Sequence, residues 1–207
     1  MTIDSHLGPM NLTALTLYID TNVVDATDPP SVFLRQLGDV GWIYLERTDT
    51  MDTELLAAPA DKLPALLTAS AQYPEAMGPM VWDHSRWGHA VWGSPEDAAR
   101  LARVDLILHG RSTAADTKPN NWRDTMHLAT AIKYAAYGFV TCDKRILNKA
   151  PKITDAFADF RLLSPVGALA LTRPRGMSLR HLHELEPYRG ELPQWPADAD
   201  WKTVTSG

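Results

Sequence analysis

Short apolar runs alternate with stretches of helical spacing along this chain, and the clearest runs lead directly into an acid. Leu15-Thr16-Leu17-Tyr18-Ile19 precedes Asp20, and Phe139-Val140-Thr141-Cys142 precedes Asp143. Runs this short and this apolar read as buried strands. Strands that alternate with amphipathic helices predict an α/β fold: a mainly parallel sheet with helices on both faces.

Residues 14–20 form the first predicted strand, and Asp25-Ala26-Thr27-Asp28-Pro29-Pro30 turns the chain. Phe33, Leu34 and Leu37 recur at helical spacing after a Ser31 cap, and Gly41 ends that helix. Trp42-Ile43-Tyr44-Leu45 reads as a second strand. Met51 to Ala58 reads as a helix carrying Glu54 in its early turns, and Lys62 to Gln72 as another. Ser94-Pro95-Glu96-Asp97 supplies a cap, a first-turn proline and two acids for a helix to about His109. Arg111 to Asn121 is a polar loop. Asp124 then opens the clearest helix, with Leu128, Ala131, Ile132, Ala135 and Ala136 on one face. Gly138 stops it, strand Phe139 to Cys142 follows, and Asp159 to Leu163 is the last strand.

A chain of 207 residues, 45% apolar, suffices for one full core. We expect the main domain at 11–166 and a Pro-rich extension at 167–207. One short helix is expected there near Ser178 to Glu186, with Trp195 and Trp201 available as anchors. The formal net charge of −5 argues against broad electrostatic capture of nucleic acid. Any RNA or DNA contact must come from local Arg and Lys groups plus bound metal. The single Cys142 excludes an internal disulfide and a multi-cysteine zinc site, and fits a reducing cytosol. The start, Met1-Thr2-Ile3-Asp4-Ser5-His6, lacks a basic, then apolar, leader, so a cytoplasmic chain without membrane contact is expected.

In an α/β fold the carboxyl ends of the strands share one crevice with nearby helix starts. Asp20, Glu54, Asp124 and Asp143 all fall at such positions. Carboxylates gathered there repel unless a hard cation neutralises them, which points to Mg²⁺ or Mn²⁺. Taken singly, Asp124 also fits a helix cap and Glu54 a solvated first-turn acid. Asp20 and Asp143 are harder to dismiss, because a strand-end Asp beside a core is costly unless paired or metal-bound.

The residues that carry this pattern also resemble a known family. Asp20-Thr21-Asn22 after a strand, Asp124-x-x-His127-Leu128-Ala129-x-Ala131, and Val140-Thr141-Cys142-Asp143-Lys144-Arg145-Ile146-Leu147 are similar to a PIN domain. The resemblance covers about residues 14–166 and implies an α/β/α sandwich. It also implies a three- or four-carboxylate site that binds Mg²⁺ or Mn²⁺ and cuts RNA phosphodiester bonds. Asp20, Asp124 and Asp143 match the family's aspartates and Glu54 its glutamate, with Glu46, Asp49 and Asp52 as neighbouring alternatives. Thr21, Asn22, Thr141, Lys144 and Arg145 are candidate substrate contacts. Because the family includes the ribonuclease toxins of toxin–antitoxin pairs, the resemblance allows a small antitoxin and a homodimer as partners. The Trp- and His-rich segment 73–93 and the tail after Pro165 depart from those compact toxins.

Two other readings stay open: a catalytically silent PIN-like module that binds RNA or protein, and a Mg²⁺-dependent phosphatase. The phosphatase folds considered place Asp-x-Asp after the first strand, where this chain has Asp20-Thr21-Asn22. His84 and His89 among Trp82, Trp87 and Trp92 suit either base stacking or, more commonly, aromatic packing. His127 reads as a helix-packing residue and Cys142 as a small buried group. His181 and His183 diverge on their helix.

Overall fold

A computed structural model describes residues 15–56, 58–110, 119–185 and 191–205. Five strands form one parallel sheet: β1 (Thr16–Ile19), β2 (Tyr44–Thr48), β3 (Glu75–Ala76), β4 (Gly138–Val140) and β5 (Arg161–Leu163). Their order is β3-β2-β1-β4-β5. The chain steps outward from β1 to β3 and then crosses to the other side of β1 to lay down β4 and β5. The crossing makes a switch point between β1 and β4, where a crevice opens beyond the strand ends.

Side-chain alternation along each strand divides the core in two. Leu17, Ile19 and Val140 join one cluster with Phe33, Leu34 and Leu37 of α2 (Pro29–Asp39). That layer also holds Met51 and Leu55 of α3 (Asp49–Leu55), flanked by α4 (Leu63–Ser70). Tyr18, Phe139 and Leu162 point the other way. They meet α5 (Pro95–His109), α6 (Pro119–Lys133) and α8 (Ala150–Ala156) through Val104, Leu128 and Ile153. The result is an α/β/α sandwich. Short helices α1 (Thr21–Val24) and α7 (Lys144–Leu147) follow β1 and β4, the first across Asp20 alone and the second after residues 141–143. Gly138 is required where three strands crowd, since a Cβ there would lie 2.6 Å from the Arg161 carbonyl oxygen.

Several boundaries differ from the sequence reading. The second strand begins at Tyr44, because Trp42 and Ile43 are buried in the turn that enters it. The helix carrying Asp124 begins five residues earlier, at Pro119, so Asp124 lies in its second turn and caps nothing. Apolar periodicity starts only after Asn120 and Asn121, which hid the first turn. Of the loop expected at 111–121, residues 111–118 lie outside the described residues. Cys142 is exposed, because β4 ends at Val140.

The tail differs most. The short helix expected near Ser178 is a 21-residue helix, α9 (Pro165–Leu185), that runs through Pro174, and α10 (Asp198–Thr205) follows. A mid-helix proline forfeits a hydrogen bond. Burial of Ala168, Leu169, Thr172 and Leu179 on both sides of it offsets that loss. Gly176 lets the Trp195 ring lie directly on the helix, where any Cβ would collide with it.

The start of α5 matches its sequence signature. Ser94 Oγ accepts from Asp97 N (3.2 Å) and Asp97 Oδ2 from Ser94 N (3.1 Å), a reciprocal capping box. Asp97 is buried and also binds Arg100 (2.5 Å) and Lys133 (3.0 Å). Burial opposes its charge, but the Ser94 N–H and the two cations outweigh burial and hold the carboxyl at about 2. A depressed acid stabilises the fold above its unfolded pKa and loses that contribution as pH falls through the folded value. Asp97→Ala should therefore cost about 2 kcal/mol at pH 7, and the deficit should vanish between about pH 4 and pH 2. Urea unfolding of both proteins across that range checks it.

Candidate metal centre

The β1–β4 ladder carries Asp20 into the switch-point crevice. Asp20 N donates to Val140 O at 2.9 Å, which sets Asp20 beside the residues that leave β4. Its Oδ2 accepts from Thr141 Oγ1 (2.5 Å) and from Asn22 Nδ2 (2.7 Å). Asn22 Oδ1 in turn accepts from Cys142 N (2.8 Å), so one side chain ties the ends of both strands together. Asn22 and Thr141 thus hold the Asp20 carboxylate in one orientation.

Glu54 arrives from the neighbouring strand. β2 passes into α3 without a loop, and burial of Met51 and Leu55 turns that helix so that Glu54 faces β1. Its Oε2 accepts from Thr21 Oγ1 and lies 3.3 Å from His127 Nε2. The other acids nearby are differently engaged. Asp52 pairs with Arg47 (2.6 Å) and Arg86 (3.1 Å), Glu46 lies against the Tyr18 hydroxyl, and Asp49 takes the Gly78 N–H.

His127 completes the group. Ligand atoms of Asp20, Glu54 and His127 lie within 4.8 Å of one another, a spacing suited to one cation. The ring is fully enclosed by α6 and its neighbours, with Nδ1 2.5 Å from Thr48 Oγ1 and Phe139 5.7 Å away. Nε2 is buried and faces Glu54 without the alignment of a hydrogen bond. The sequence reading placed His127 in helix packing. Its spacing from Asp124 was the available signal, since residues three apart share a helix face.

Asp124 sits at the edge of this cluster. Burial, Glu54 and Asp20 raise its carboxyl to about 7, against the opposing pull of His127 and Arg145. Burial and Glu54 likewise raise Asp20, despite His127 and the Thr141 hydrogen bond. Glu54 moves the other way. Burial would raise it, but His127, Thr21 and Arg123 lower it. His127 is pushed down by burial and up, on balance, by Glu54, Asp20 and Asp124. The carboxyl groups of Glu54, Asp20 and Asp124 thus favour the charged form of His127, and a cation at this site would compete with a proton for its Nε2.

Asp143 stands apart from the triad. It caps α7, its carboxylate is held by Arg145 (2.6 Å), and that contact lowers its pKa. A hydroxyl links it to the cluster, because Asp143 N donates to the same Thr141 Oγ1 that donates to Asp20. Lys144 and Arg145 are exposed beside it. The donor set fits a divalent cation: two carboxylates, a buried imidazole nitrogen and a titrating third carboxyl. Oxygen donors suit Mg²⁺ and Mn²⁺, and an imidazole favours Mn²⁺ of the two. A separate 590 Å³ groove between α2 and α10, lined by Phe33, Trp195 and Val204, shares no residue with this centre.

No family model matches this chain, and no curated protein or solved structure matches it.

Proposed function

We propose that this chain is a metal-dependent endoribonuclease of PIN type, hydrolysing RNA phosphodiester bonds. The observation that carries the proposal is the convergence of Asp20, Glu54 and His127 at the switch point, with Asp124 beside them. Several acids drawn together at that cost in charge repulsion suit cation binding better than a purely structural role.

In this reading Asp20 and Glu54 hold Mg²⁺ or Mn²⁺, with Asp124, Asp143 and His127 around them. A bound divalent cation supplies acidification of water and charge relief at the phosphate. Asn22 and Thr141 keep Asp20 in place, and Thr21 does the same for Glu54. Without metal, burial, Glu54 and Asp20 hold the Asp124 carboxyl at about 7, and a bound cation would offset that repulsion and favour its carboxylate form. Arg145, which acts electrostatically on Asp124, and its neighbour Lys144 are the cations this reading assigns to the backbone of the substrate. The catalytic residues fall within 11–166, and 167–207 contributes structure. No helix among the described residues is long and apolar enough to cross a membrane. A cytoplasmic toxin restrained by a small antitoxin, with the toxin itself a homodimer, is the biological setting this reading favours.

One observation favours a second reading, a catalytically silent RNA- or protein-binding module. Glu54 and Asp143 already have basic partners in His127 and Arg145. Cleavage assays separate the two. Single-stranded RNA should be cut only with Mg²⁺ or Mn²⁺, and EDTA should stop it. Asp143→Asn should abolish the reaction. Undiminished cleavage by that variant, purified free of contaminating nuclease, would overturn the assignment.

A further inference from the structure

The Trp- and His-rich segment was open to either base stacking or aromatic packing, and its tryptophans do not pack inward. Trp82, Trp87 and Trp92 are 71%, 77% and 80% exposed. Indoles bury a large apolar area when they fold inward, so three left in water on one loop demand another explanation. Their backbone is nonetheless well anchored. Met80 N donates to Val91 O and Val91 N to Gly78 O, closing the loop at its base. Val81 N donates to Ser85 Oγ at its tip (2.9 Å). Arg86 reaches Asp52 on α3 at 3.1 Å, and His89 reaches Glu75 on β3 at 3.0 Å. The loop is therefore braced to the helix that carries Glu54, with its Trp side chains turned outward.

The same loop touches the other wall of the candidate centre. The His84 ring lies 5.8 Å from the Trp122 ring with the planes tilted by 32°. Trp122 is two residues before Asp124 on α6. Arg123 is within electrostatic reach of both His84 and Glu54. Trp82 and Trp87 meet edge to face at 6.4 Å, an arrangement that leaves an indole face open. The loop that displays these indoles thus reaches α6 through His84 and Trp122, two residues before Asp124.

We propose that the 77–93 loop is a stacking platform for unpaired bases, on which Trp82 and Trp87 hold single-stranded RNA beside the carboxylate centre. The inference rests on the ribonuclease reading for its choice of RNA over another ligand. Stacking explains capture by a chain of net charge −5, because a π-face recognises any base without a basic surface. It also predicts strandedness. Bases within a duplex are stacked on one another, and only unpaired bases present a free face.

The test is binding without turnover. Fluorescence anisotropy is measured in EDTA with a labelled oligouridylate of about 12 nucleotides, within the known footprint range, and with an RNA duplex of equal length. The single strand should bind at least about 10-fold more tightly than the duplex. Replacing both indoles (Trp82→Ala with Trp87→Ala) should weaken single-strand binding by about 10-fold or more, from a stacking contribution of ~1–3 kcal/mol per base. The corresponding Phe replacements should restore most of the loss, which a purely structural role would not require. Circular dichroism checks that the exposed substitutions leave the fold intact. Unchanged affinity in the double-Ala protein, or equal affinity for duplex, overturns the platform and leaves the nuclease assignment standing. Tight, Trp-dependent single-strand binding with no metal-dependent cleavage supports the platform and removes the nuclease assignment. Self-association lost on substitution while RNA affinity is unchanged also overturns it, and assigns the surface to a protein contact.

Discussion

Asp20→Asn is expected to weaken Mn²⁺ binding by more than about 100-fold and to stabilise the metal-free protein at neutral pH. The first figure follows from position. Groups that merely orient a ligand typically contribute about 10- to 100-fold to metal affinity, and Asp20 is proposed as a ligand. The second effect follows from burial. Burial, reinforced by Glu54, raises the Asp20 carboxyl above its ordinary value. An acid raised on folding binds more protons in the native state, so it subtracts stability as pH climbs above about 4. An amide of the same shape escapes that penalty, and its oxygen can still accept from Thr141. Calorimetric titration with Mn²⁺ and thermal melts at pH 5 and pH 8 measure both effects. Undiminished Mn²⁺ affinity, or a variant less stable than wild type at pH 8 without metal, would count against Asp20 as a strained ligand.

Trp201→Ala should cost about 3–5 kcal/mol, the usual range for truncating a buried indole. Its ring is fully buried, edge-on to Phe33 at 4.9 Å and stacked on Trp195 at 5.1 Å. Trp195 in turn meets Trp42 at 4.7 Å, and Trp42 Nε1 donates to the Gln194 carbonyl at 3.1 Å. This chain of aromatic contacts joins the tail to the entry of β2. A domain of this size typically holds only about 5–15 kcal/mol in total, so the single change should lower Tm by roughly 10 °C. A Pro-rich tail without catalytic candidates suggests that a chain ending near Ala170 keeps metal-dependent cleavage, but that truncation removes Leu179, Trp195, Trp201 and Val204 from one core. That shortened protein should lack a cooperative melt. A cooperative transition close to that of the full chain would show that the tail is dispensable for folding.

The parallel sheet was legible because its cues are local. Leu15 to Ile19 and Phe139 to Val140 are too apolar to lie anywhere but between two layers, and Ser94-Pro95-Glu96-Asp97 specifies a helix start by itself. Placement of Asp20 directly after β1 follows from the same cues, whereas β4 stops at Val140, three residues short of Asp143. Local cues failed where two signals conflicted. Pro174 reads as a helix breaker, yet α9 passes through it because both flanking turns are buried.

The choice among nearby acids was a tertiary matter. Glu46, Asp49, Asp52 and Glu54 lie within a span of nine residues, and only the packing of α3 against α1 and α6 brings Glu54 beside Asp20. His127 became part of the centre by the same means, through a strand and two helices distant in sequence. The outward display of Trp82 and Trp87, and the burial of Trp201, were equally invisible to composition. An indole is compatible with either fate, and which one it meets depends on whether distant chain covers it. Sequence by itself determined the strand–helix alternation and the acid that follows its first strand, because backbone periodicity and capping act within a few residues. Tertiary structure alone decided which side chains share the crevice and which face water, because that depends on residues brought together across the whole chain.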